Sequence, residues 1–315
     1  MRVLILSLTT LFVLTACGGN KTEDGPESDP ITDASLIKCI NAQENPASTI
    51  EELVCEDLIT DLSGLETLSA LTKFEGTVTS DIIDFSSSPD LEYLHLYRSE
   101  FDSLKISDNP KLTTLVLDFV ETADLDISAN NNLQKLQVGF CEIEQIVVSE
   151  DGHSEVEELI LFSNTMSEVL NLASFPNVKK LQYSSSELTE IDVSPLVKLE
   201  GLSIHFNQIT KLDVSKNSLL EALAASHNSL TELDLSQNTR LELVDVSSNA
   251  LTSIALPATN TLLTLELNFN QLQSIDVTGL PSLEALRLKD NQLTELDLSK
   301  NTNLSTVILT GNPIE

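Results

Sequence analysis

The stretch Leu241-Glu242-Leu243-Val244-Asp245-Val246-Ser247-Ser248-Asn249-Ala250-Leu251 contains the pattern that decides the fold. Its frame has apolar residues at positions one, four, six and eleven and asparagine at position nine. The frame returns in Leu262–Leu272 and again in Leu283–Leu293. Asparagine recurs every 21 residues, at Asn207, Asn228, Asn249, Asn270, Asn291 and Asn312. A fixed period of this length is typical of a solenoid, in which each coil buries its apolar face only against neighbouring coils.

Each part of the frame has a physical reason. Alternating apolar residues predict a short strand whose leucines point inward and whose intervening side chains point outward. Where the strand ends, an asparagine amide can satisfy backbone groups that have left the ladder, because it both donates and accepts hydrogen bonds. Earlier frames, 20 to 23 residues apart, give 13 copies in all. They begin near Ile50 and then at Leu71, Leu91, Leu112, Leu133, Val156, Val178 and Leu199.

The pattern resembles the leucine-rich repeat. The second half of each coil repeats it, as in Leu230-x-x-Leu233-Asp234-Leu235-Ser236-x-Asn238. This nesting is similar to the bacterial 21-residue (IRREKO) class, in which both sides of the coil are extended. The resemblance implies a β-rich repeat solenoid over residues 50–315, a right-handed superhelix of about 13 coils with short parallel strands and little helix.

The start of the chain predicts an anchor. Residues 1–16 have a basic residue, a short apolar run and small residues at the end, as a signal peptide does. Leu14-Thr15-Ala16-Cys17 resembles the bacterial lipobox, which implies lipidation of Cys17, and Gly18 favours the outer membrane by the same analogy. An ordinary signal peptide is the alternative. Residues 17–34 are polar and predict a flexible tether, leaving the domain periplasmic or surface-facing.

The remaining cysteines have separate predicted roles. Cys39 and Cys55 lie within residues 35–57, an expected N-terminal cap that overlaps the first repeat. In an oxidising compartment we expect them to form a disulfide. Cys141 stands in the asparagine column and is expected to be structural, with a reactive thiol as the alternative. Beyond the last frame no capping segment is evident, which leaves weak self-association through this edge as an expectation.

The composition excludes some functions. With 17 basic and 49 acidic residues, a net charge of −32 disfavours nucleic acid as a partner. We find no catalytic motif and expect no enzymatic activity, cofactor or metal. An acidic column has two interpretations, a cation-binding face or solvated carboxylates that accept local hydrogen bonds from Ser or Thr. Its members are Asp126, Asp192, Asp213, Asp234, Asp276 and Asp297.

A partner is expected at the outward positions of the first strand, on the concave face. The predicted contact residues are the following: Tyr93, His95, Tyr97, Arg98, Val116, Phe119, Phe140, Ile160, Phe162 and His205. Exposed aromatics on a rigid sheet are typical of interfaces. The alternative for the phenylalanines at position eight of the frame is packing beneath the turn. These are Phe119, Phe140, Phe206 and Phe269.

The layout is similar to that of internalin-like adhesins. The leading hypothesis is therefore a non-enzymatic, lipid-anchored envelope protein that recognises a protein or a surface glycan. One rival hypothesis is a structural, self-associating envelope protein. Another is an accessory or inhibitor of a periplasmic enzyme.

Overall fold

The computed structural model describes residues 31–164 and 169–314, and in this part the chain is a parallel β-solenoid. The strands, in chain order, are β1 Glu52–Val54, β2 Lys73–Gly76, β3 Ile82–Asp84, β4 Tyr93–Tyr97, β5 Ser103–Lys105, β6 Thr114–Asp118, β7 Glu121–Asp126, β8 Lys135–Gly139, β9 Glu142–Val147, β10 Glu158–Phe162, β11 Lys180–Ser184, β12 Gly201–Ser203, β13 Ala222–Ala224, β14 Glu232–Asp234, β15 Leu243–Asp245, β16 Ser253–Ala255, β17 Thr264–Glu266, β18 Ala285–Arg287 and β19 Thr306–Ile308. The predicted signal peptide, Cys17 and most of the predicted tether lie outside the described residues.

One long sheet organises the molecule. All strands except β3, β5, β7, β9, β14 and β16 join into a thirteen-stranded parallel sheet, here called the main sheet. Each coil contributes one strand, as the 13 sequence frames predict. The other six strands form three two-stranded pairs on the second half of the coil. The β-rich solenoid of short parallel strands with little helix is therefore confirmed.

The core lies between these two sides. The inward residues Leu241, Val244 and Val246 have no solvent exposure. Asparagines at position nine join successive coils, as their donor and acceptor groups predict. Asn270, for example, accepts the N–H of Leu251 with Oδ1 at 3.0 Å and donates from Nδ2 to the Val246 carbonyl at 3.0 Å.

A second column of buried asparagines lies in the other half of the coil. Its members are Asn109, Asn130, Asn217, Asn238 and Asn301. Asn238 Nδ2 donates to the carbonyls of Val214 and Asn217, each at 3.0 Å, but its Oδ1 has no partner among the described residues. The fully buried His153, stacked on Phe175 at 5.7 Å, occupies the equivalent place in its own coil. In the sequence, the irregular insertion Glu150-Asp151-Gly152-His153 interrupts the repeat and predicts a protruding loop. That prediction is wrong for His153, which is a core residue.

A short helix closes the N-terminal end of the core. Helix α1, Ala34–Asn41, begins at Asp33, whose side chain accepts the N–H groups of Ser35 and Leu36. Leu36 is fully buried against the first coil. This helix was not predicted, because its apolar period is too short to stand out. Three 3₁₀ turns, at Ala47–Thr49, Leu65–Thr67 and Leu172–Ser174, complete the helical content of the described residues.

Three of the four cysteines lie in the described part of the chain. Cys39 of α1 and Cys55, just after β1, form a disulfide with a Cα–Cα distance of 5.5 Å. Cys141 is free and buried, and burial raises the pKa of its thiol to about 11. Its Sγ lies 3.2 Å from the Gly139 carbonyl and 3.4 Å from the Val120 N–H. A thiol held protonated in this way has a structural role, because the thiolate is the reactive form.

Candidate functional site

The outward side chains of the main sheet form one continuous surface, here called the sheet face. In β4 the alternation leaves Leu94 and Leu96 buried, while Tyr93, His95 and Tyr97 are partly exposed. Strands β6, β8 and β10 continue this surface in register, since Tyr97 pairs with Asp118, Asp118 with Gly139, and Gly139 with Phe162.

A column of residues in left-handed backbone runs along one edge of the sheet face. These are the residues at position eight of successive frames, here called the position-eight column: Arg98, Phe119, Phe140, Ser163, Ser185, Phe206, His227, Ser248, Phe269, Asp290 and Gly311. The non-glycine members have φ between 50° and 57°. Each member from Arg98 to Asp290 donates its N–H to a carbonyl of the next coil, as Phe140 does to the Phe162 carbonyl at 2.9 Å. This hydrogen bond accompanies the left-handed turn in each of these coils.

The phenylalanines of this column are exposed, so the interpretation that they pack beneath the turn is wrong. Their side chains point to solvent because the left-handed backbone turns Cβ away from the core. The exposed fractions are 54% for Phe119, 48% for Phe140, 58% for Phe206 and 49% for Phe269. Bulky residues are uncommon at positive φ, where the backbone is strained. The chain therefore places four large apolar side chains at strained positions without burying them.

Three rings of neighbouring coils form a stack. Phe119 and Phe140 lie face to face, with centroids 4.6 Å apart and planes at 6°. Phe162 meets Phe140 edge-on at 5.1 Å. Gly139 makes room for Phe162, since a Cβ there would lie 2.3 Å from its ring. The glycine at position 139 is thus the feature of the sequence that indicates where the Phe162 ring lies.

The stack forms the apolar wall of an open groove of about 470 Å³, here called the aromatic groove. Its lining residues are His95, Tyr97, Arg98, Asp118, Phe119, Gln137, Phe140 and Phe162. Asp118 lies at the centre, 3.2 Å from His95 Nε2 and 3.1 Å from Gln137 Nε2. The groove thus combines three phenylalanine rings with a polar cluster whose hydrogen bonds hold its shape.

Six of the ten predicted contact residues line this groove: His95, Tyr97, Arg98, Phe119, Phe140 and Phe162. Asp118 and Gln137 also line it but were not in the predicted set, although both occupy outward positions. The sequence shows which positions face outward, but it does not show which polar side chains pair across strands.

Four predicted contact residues lie outside the groove lining. Val116 was expected to be exposed. This is wrong, because only 6% of the residue is exposed. Tyr93 lies under the Lys73 ammonium, which is 5.2 Å from its ring centroid. Ile160 occupies the middle of β10. His205 lies further along the sheet, with Nδ1 2.6 Å from Ser226 Oγ, and burial lowers its pKa.

Tyr97 has a structural role that the sequence does not reveal. Its hydroxyl donates to the Cys55 carbonyl at 3.0 Å, across the intervening strand β2. It therefore ties the groove to the disulfide-linked cap, and its replacement is expected to affect stability as well as binding.

From the frame at Leu91 onward, the sheet face is electrically balanced, unlike the protein as a whole. Outward positions three, five, seven and eight of the frames from Leu91 onward carry five Lys or Arg and five Asp or Glu side chains, whereas the whole chain has a net charge of −32. Four of these cations form ion pairs: Lys135, Lys180, Arg287 and Lys289. Arg98, beside the groove, is the fifth, and it has no carboxylate within 4.0 Å among the described residues.

The acidic column on the other side of the coil consists of local turns. Each aspartate accepts the backbone N–H of the residue two positions on, as Asp213 does from Ser215 at 2.9 Å. This backbone hydrogen bond, with that of the Ser215 hydroxyl, lowers the Asp213 pKa. The local hydrogen bonds that the solvated-carboxylate interpretation predicts are therefore present. The described residues contain no group of three or more His, Cys, Asp or Glu side chains placed to hold a metal ion.

Comparisons with solved structures identify the fold. A functional domain of InlJ from Listeria monocytogenes, which includes a cysteine ladder, is 29% identical with a TM-score of 0.68. The match covers 90% of this chain and 61% of that domain. An internalin of the same species is 20% identical, with a TM-score of 0.72 and 90% of both chains covered. A leucine-rich repeat protein of Leptospira interrogans is 23% identical, with a TM-score of 0.73 and coverages of 86% and 75%.

These similarities show the leucine-rich repeat fold, as the sequence pattern predicts. No protein-family model and no curated protein sequence matches this chain. In the described part of the chain, no helix has the length and apolarity needed to cross a membrane.

Proposed function

We propose that this chain is a non-enzymatic recognition protein of the bacterial envelope, which binds a protein partner through the aromatic groove. The observation that carries the proposal is the exposed stack of Phe119, Phe140 and Phe162. None of these rings contributes to the solenoid core, and two of them stand on strained left-handed backbone. Large apolar side chains kept at strained, exposed positions are typical of interaction sites rather than of stability.

The surroundings favour a macromolecule over a small ligand. Small-molecule sites bury most of the ligand in a closed pocket, whereas the groove is an open depression on a long flat sheet. Solenoids characteristically bind partners on such extended faces. Rings in the middle of a polar surface are typical of hot spots at protein interfaces. The balanced charge of the sheet face also removes the repulsion that the acidic remainder of the protein would impose on an acidic partner.

Capture with matched variants tests this function. The mature protein is immobilised and incubated with envelope extract and with host surface proteins, and bound proteins are quantified. We expect Phe140→Ser to weaken capture of a specific protein by about 10-fold or more, as hot-spot loss does. Serine already occupies the same position at Ser163, Ser185 and Ser248, so the fold accepts it.

The control is Val197→Ser, which changes an exposed apolar residue outside the sheet face and should leave capture unchanged. If Phe119→Ser, Phe140→Ser and Phe162→Ser all bind as the wild type does, the groove is not the binding site. A glycan array run in parallel decides between a protein and a surface glycan.

Anchoring by Cys17 is part of the proposal, supported by the lipobox-like Leu14-Thr15-Ala16-Cys17. Lipid chains contribute about 0.8 kcal/mol per buried CH₂, so two or more hold a protein stably on a membrane. Cys17→Ser is expected to move the protein from the membrane fraction to the soluble fraction or to stall its processing. Unchanged membrane association and palmitate labelling would contradict lipidation.

Self-association is a separate possibility for the same surface-exposed protein. Strand β19 pairs on one side only within the described residues, and Val307 is 40% exposed there. Sedimentation velocity over a range of concentrations measures this directly. A monomer at concentrations that support capture would show that capture does not need self-association.

A further inference from the structure

The position-eight column presents aromatic rings well beyond the groove. Phe206 lies three coils from Phe140, and Phe269 lies three coils from Phe206. Phe206 stacks face to face on His227 at 4.4 Å, and the Lys289 ammonium lies 4.8 Å from the centre of the Phe269 ring. Phe140, Phe206 and Phe269 therefore stand at equal intervals of three coils, and Phe119 adds a fourth ring one coil before Phe140.

The rings are separated by small polar side chains. Ser163 and Ser185 stand between Phe140 and Phe206, and Ser248 stands between His227 and Phe269. Neighbouring parallel strands are about 4.8 Å apart, so three coils place successive rings about 14 Å apart. The edge of the sheet face thus alternates between protruding rings and shallow gaps along the solenoid axis.

The fold itself does not require these rings. Serine, histidine, arginine and aspartate occupy the same left-handed position in other coils, with the same backbone hydrogen bond. The rings of Phe206 and Phe269 are about half exposed, and neither belongs to the buried core. A binding role explains why phenylalanine stands there at a regular interval.

The spacing fits an extended polypeptide. An extended strand rises about 3.3 Å per residue and alternates its side chains, so residues four apart lie on one side and span about 13 Å. Residues two or six apart also share a side, but they span about 7 Å and about 20 Å. Only the four-residue interval matches the rings of the column.

Arg98 adds a charge requirement at one end of the column. Its guanidinium has no carboxylate within 4.0 Å among the described residues, and it lies two coils, about 10 Å, from Phe140. A guanidinium without an internal partner is suited to a carboxylate from outside. The carboxylate must lie on the same side of the extended segment as the apolar side chains, so this complementarity predicts an acidic residue four positions, about 13 Å, from the first of them, with the long Arg98 side chain covering the remaining distance.

We propose that the position-eight column binds an extended segment of the partner protein, with apolar side chains four residues apart on Phe140, Phe206 and Phe269 and a carboxylate on Arg98. This proposal rests on the proposed function and specifies its partner. The segment runs along the solenoid axis, and its backbone crosses the serine gaps. Affinity arises from several linked contacts, each of which raises the local concentration of the next.

Two labelled synthetic peptides of equal composition test the spacing on the mature protein. One has three phenylalanines separated by three polar residues, with an aspartate four residues before the first. The other separates the phenylalanines by two residues, which turns alternate rings to opposite sides. By fluorescence anisotropy we expect the first to bind at least about 10-fold more tightly. Equal affinities, or no binding of the first at about 1 mM, would overturn the proposal.

Variants of the column test the contacts. Phe206→Ser and Phe269→Ser should each weaken binding of the first peptide and of the captured partner, whereas Phe206→Tyr keeps the ring and should bind nearly normally. Arg98→Gln should remove the advantage of a peptide with aspartate over the same peptide with asparagine.

Capture of the natural partner separates the two proposals. If Phe140→Ser weakens capture but Phe206→Ser and Phe269→Ser do not, the groove function stands and the column proposal fails. If none of the three changes capture, the proposed function fails as well. Binding to oligosaccharides on a glycan array without binding to the peptides would overturn the polypeptide as the occupant.

Discussion

Alanine in place of Asn270 is expected to destabilise the solenoid more than alanine in place of Asn238, although both side chains are buried. Asn270 Oδ1 accepts the Leu251 N–H at 3.0 Å, and its Nδ2 donates to the carbonyls of Val246 and Leu267. Asn238 Nδ2 likewise donates to two carbonyls, but its Oδ1 has no donor among the described residues. The main difference is therefore that Asn270 Oδ1 satisfies a backbone N–H group, that of Leu251, whereas Asn238 Oδ1 satisfies none among the described residues.

The difference can be estimated from hydrogen-bond energies. A buried donor left unpaired costs about 1–3 kcal/mol, and each lost bond to a carbonyl that keeps another partner costs about 1 kcal/mol. Asn270→Ala orphans the Leu251 N–H and loses two carbonyl bonds, which costs about 4 kcal/mol. Asn238→Ala loses two carbonyl bonds but removes an unpaired oxygen, so its net cost is about 1 kcal/mol. The cavity left by the side chain adds a similar amount to both.

Urea unfolding of the two variants measures the difference, with the slope of the free energy against urea checked for equality. We expect Asn270→Ala to lose about 2–3 kcal/mol more than Asn238→Ala. Equal losses, or a larger loss for Asn238→Ala, would refute the assignment of the acceptor role to the position-nine amide.

Three further predictions concern the cap, the core and pH. Tyr97→Phe removes the bond to the Cys55 carbonyl and should lower the free energy of unfolding by about 1 kcal/mol without loss of the ring, as urea unfolding will show. Burial lowers the pKa of His153 in the folded protein. As the pH falls below about 6.5, the ordinary pKa of histidine, the unfolded state therefore takes up a proton before the folded state does. The free energy of unfolding should therefore fall as the pH drops below this value. It should fall less in His153→Asn, and thermal melts from pH 7.5 to 5 measure both. The disulfide between Cys39 and Cys55 closes a loop with a sequence separation of 16, so its reduction should lower the free energy of unfolding by about 3 kcal/mol. Reduction should also increase hydrogen exchange at the α1 amides. Unchanged exchange would show that helix packing alone holds the cap.

The fold follows closely from the sequence because the repeat imposes the same physical problem in every coil. The spacing of Asn249, Asn270 and Asn291 already specifies the strand, the turn and the coil-to-coil hydrogen bond. Helix α1 does not follow, because a helix of eight residues is too short to give a sustained period. His153 was misjudged because its neighbours Asp151 and Gly152 are typical of an exposed loop, whereas its ring fills the place of an asparagine in the core.

The candidate site follows only in part. The frame identifies Tyr97, Arg98 and Phe162 as outward residues, but it does not show that Phe119 and Phe140 stand on left-handed backbone. That conformation decides whether a ring at position eight packs or protrudes. The link from Tyr97 to the cap likewise spans 42 residues of sequence, so no local pattern reveals it.

Site-specific photo-crosslinking tests most directly whether the partner lies on the sheet face. A photoreactive phenylalanine analogue replaces Phe140, Phe206 or Phe269 in the mature protein, and in matched controls it replaces Ile82 or Val197, which are exposed outside the sheet face. After irradiation in the presence of the captured protein, we expect covalent adducts from the three column positions and none from the controls. Adducts from Ile82 or Val197, with none from the column, would contradict the account.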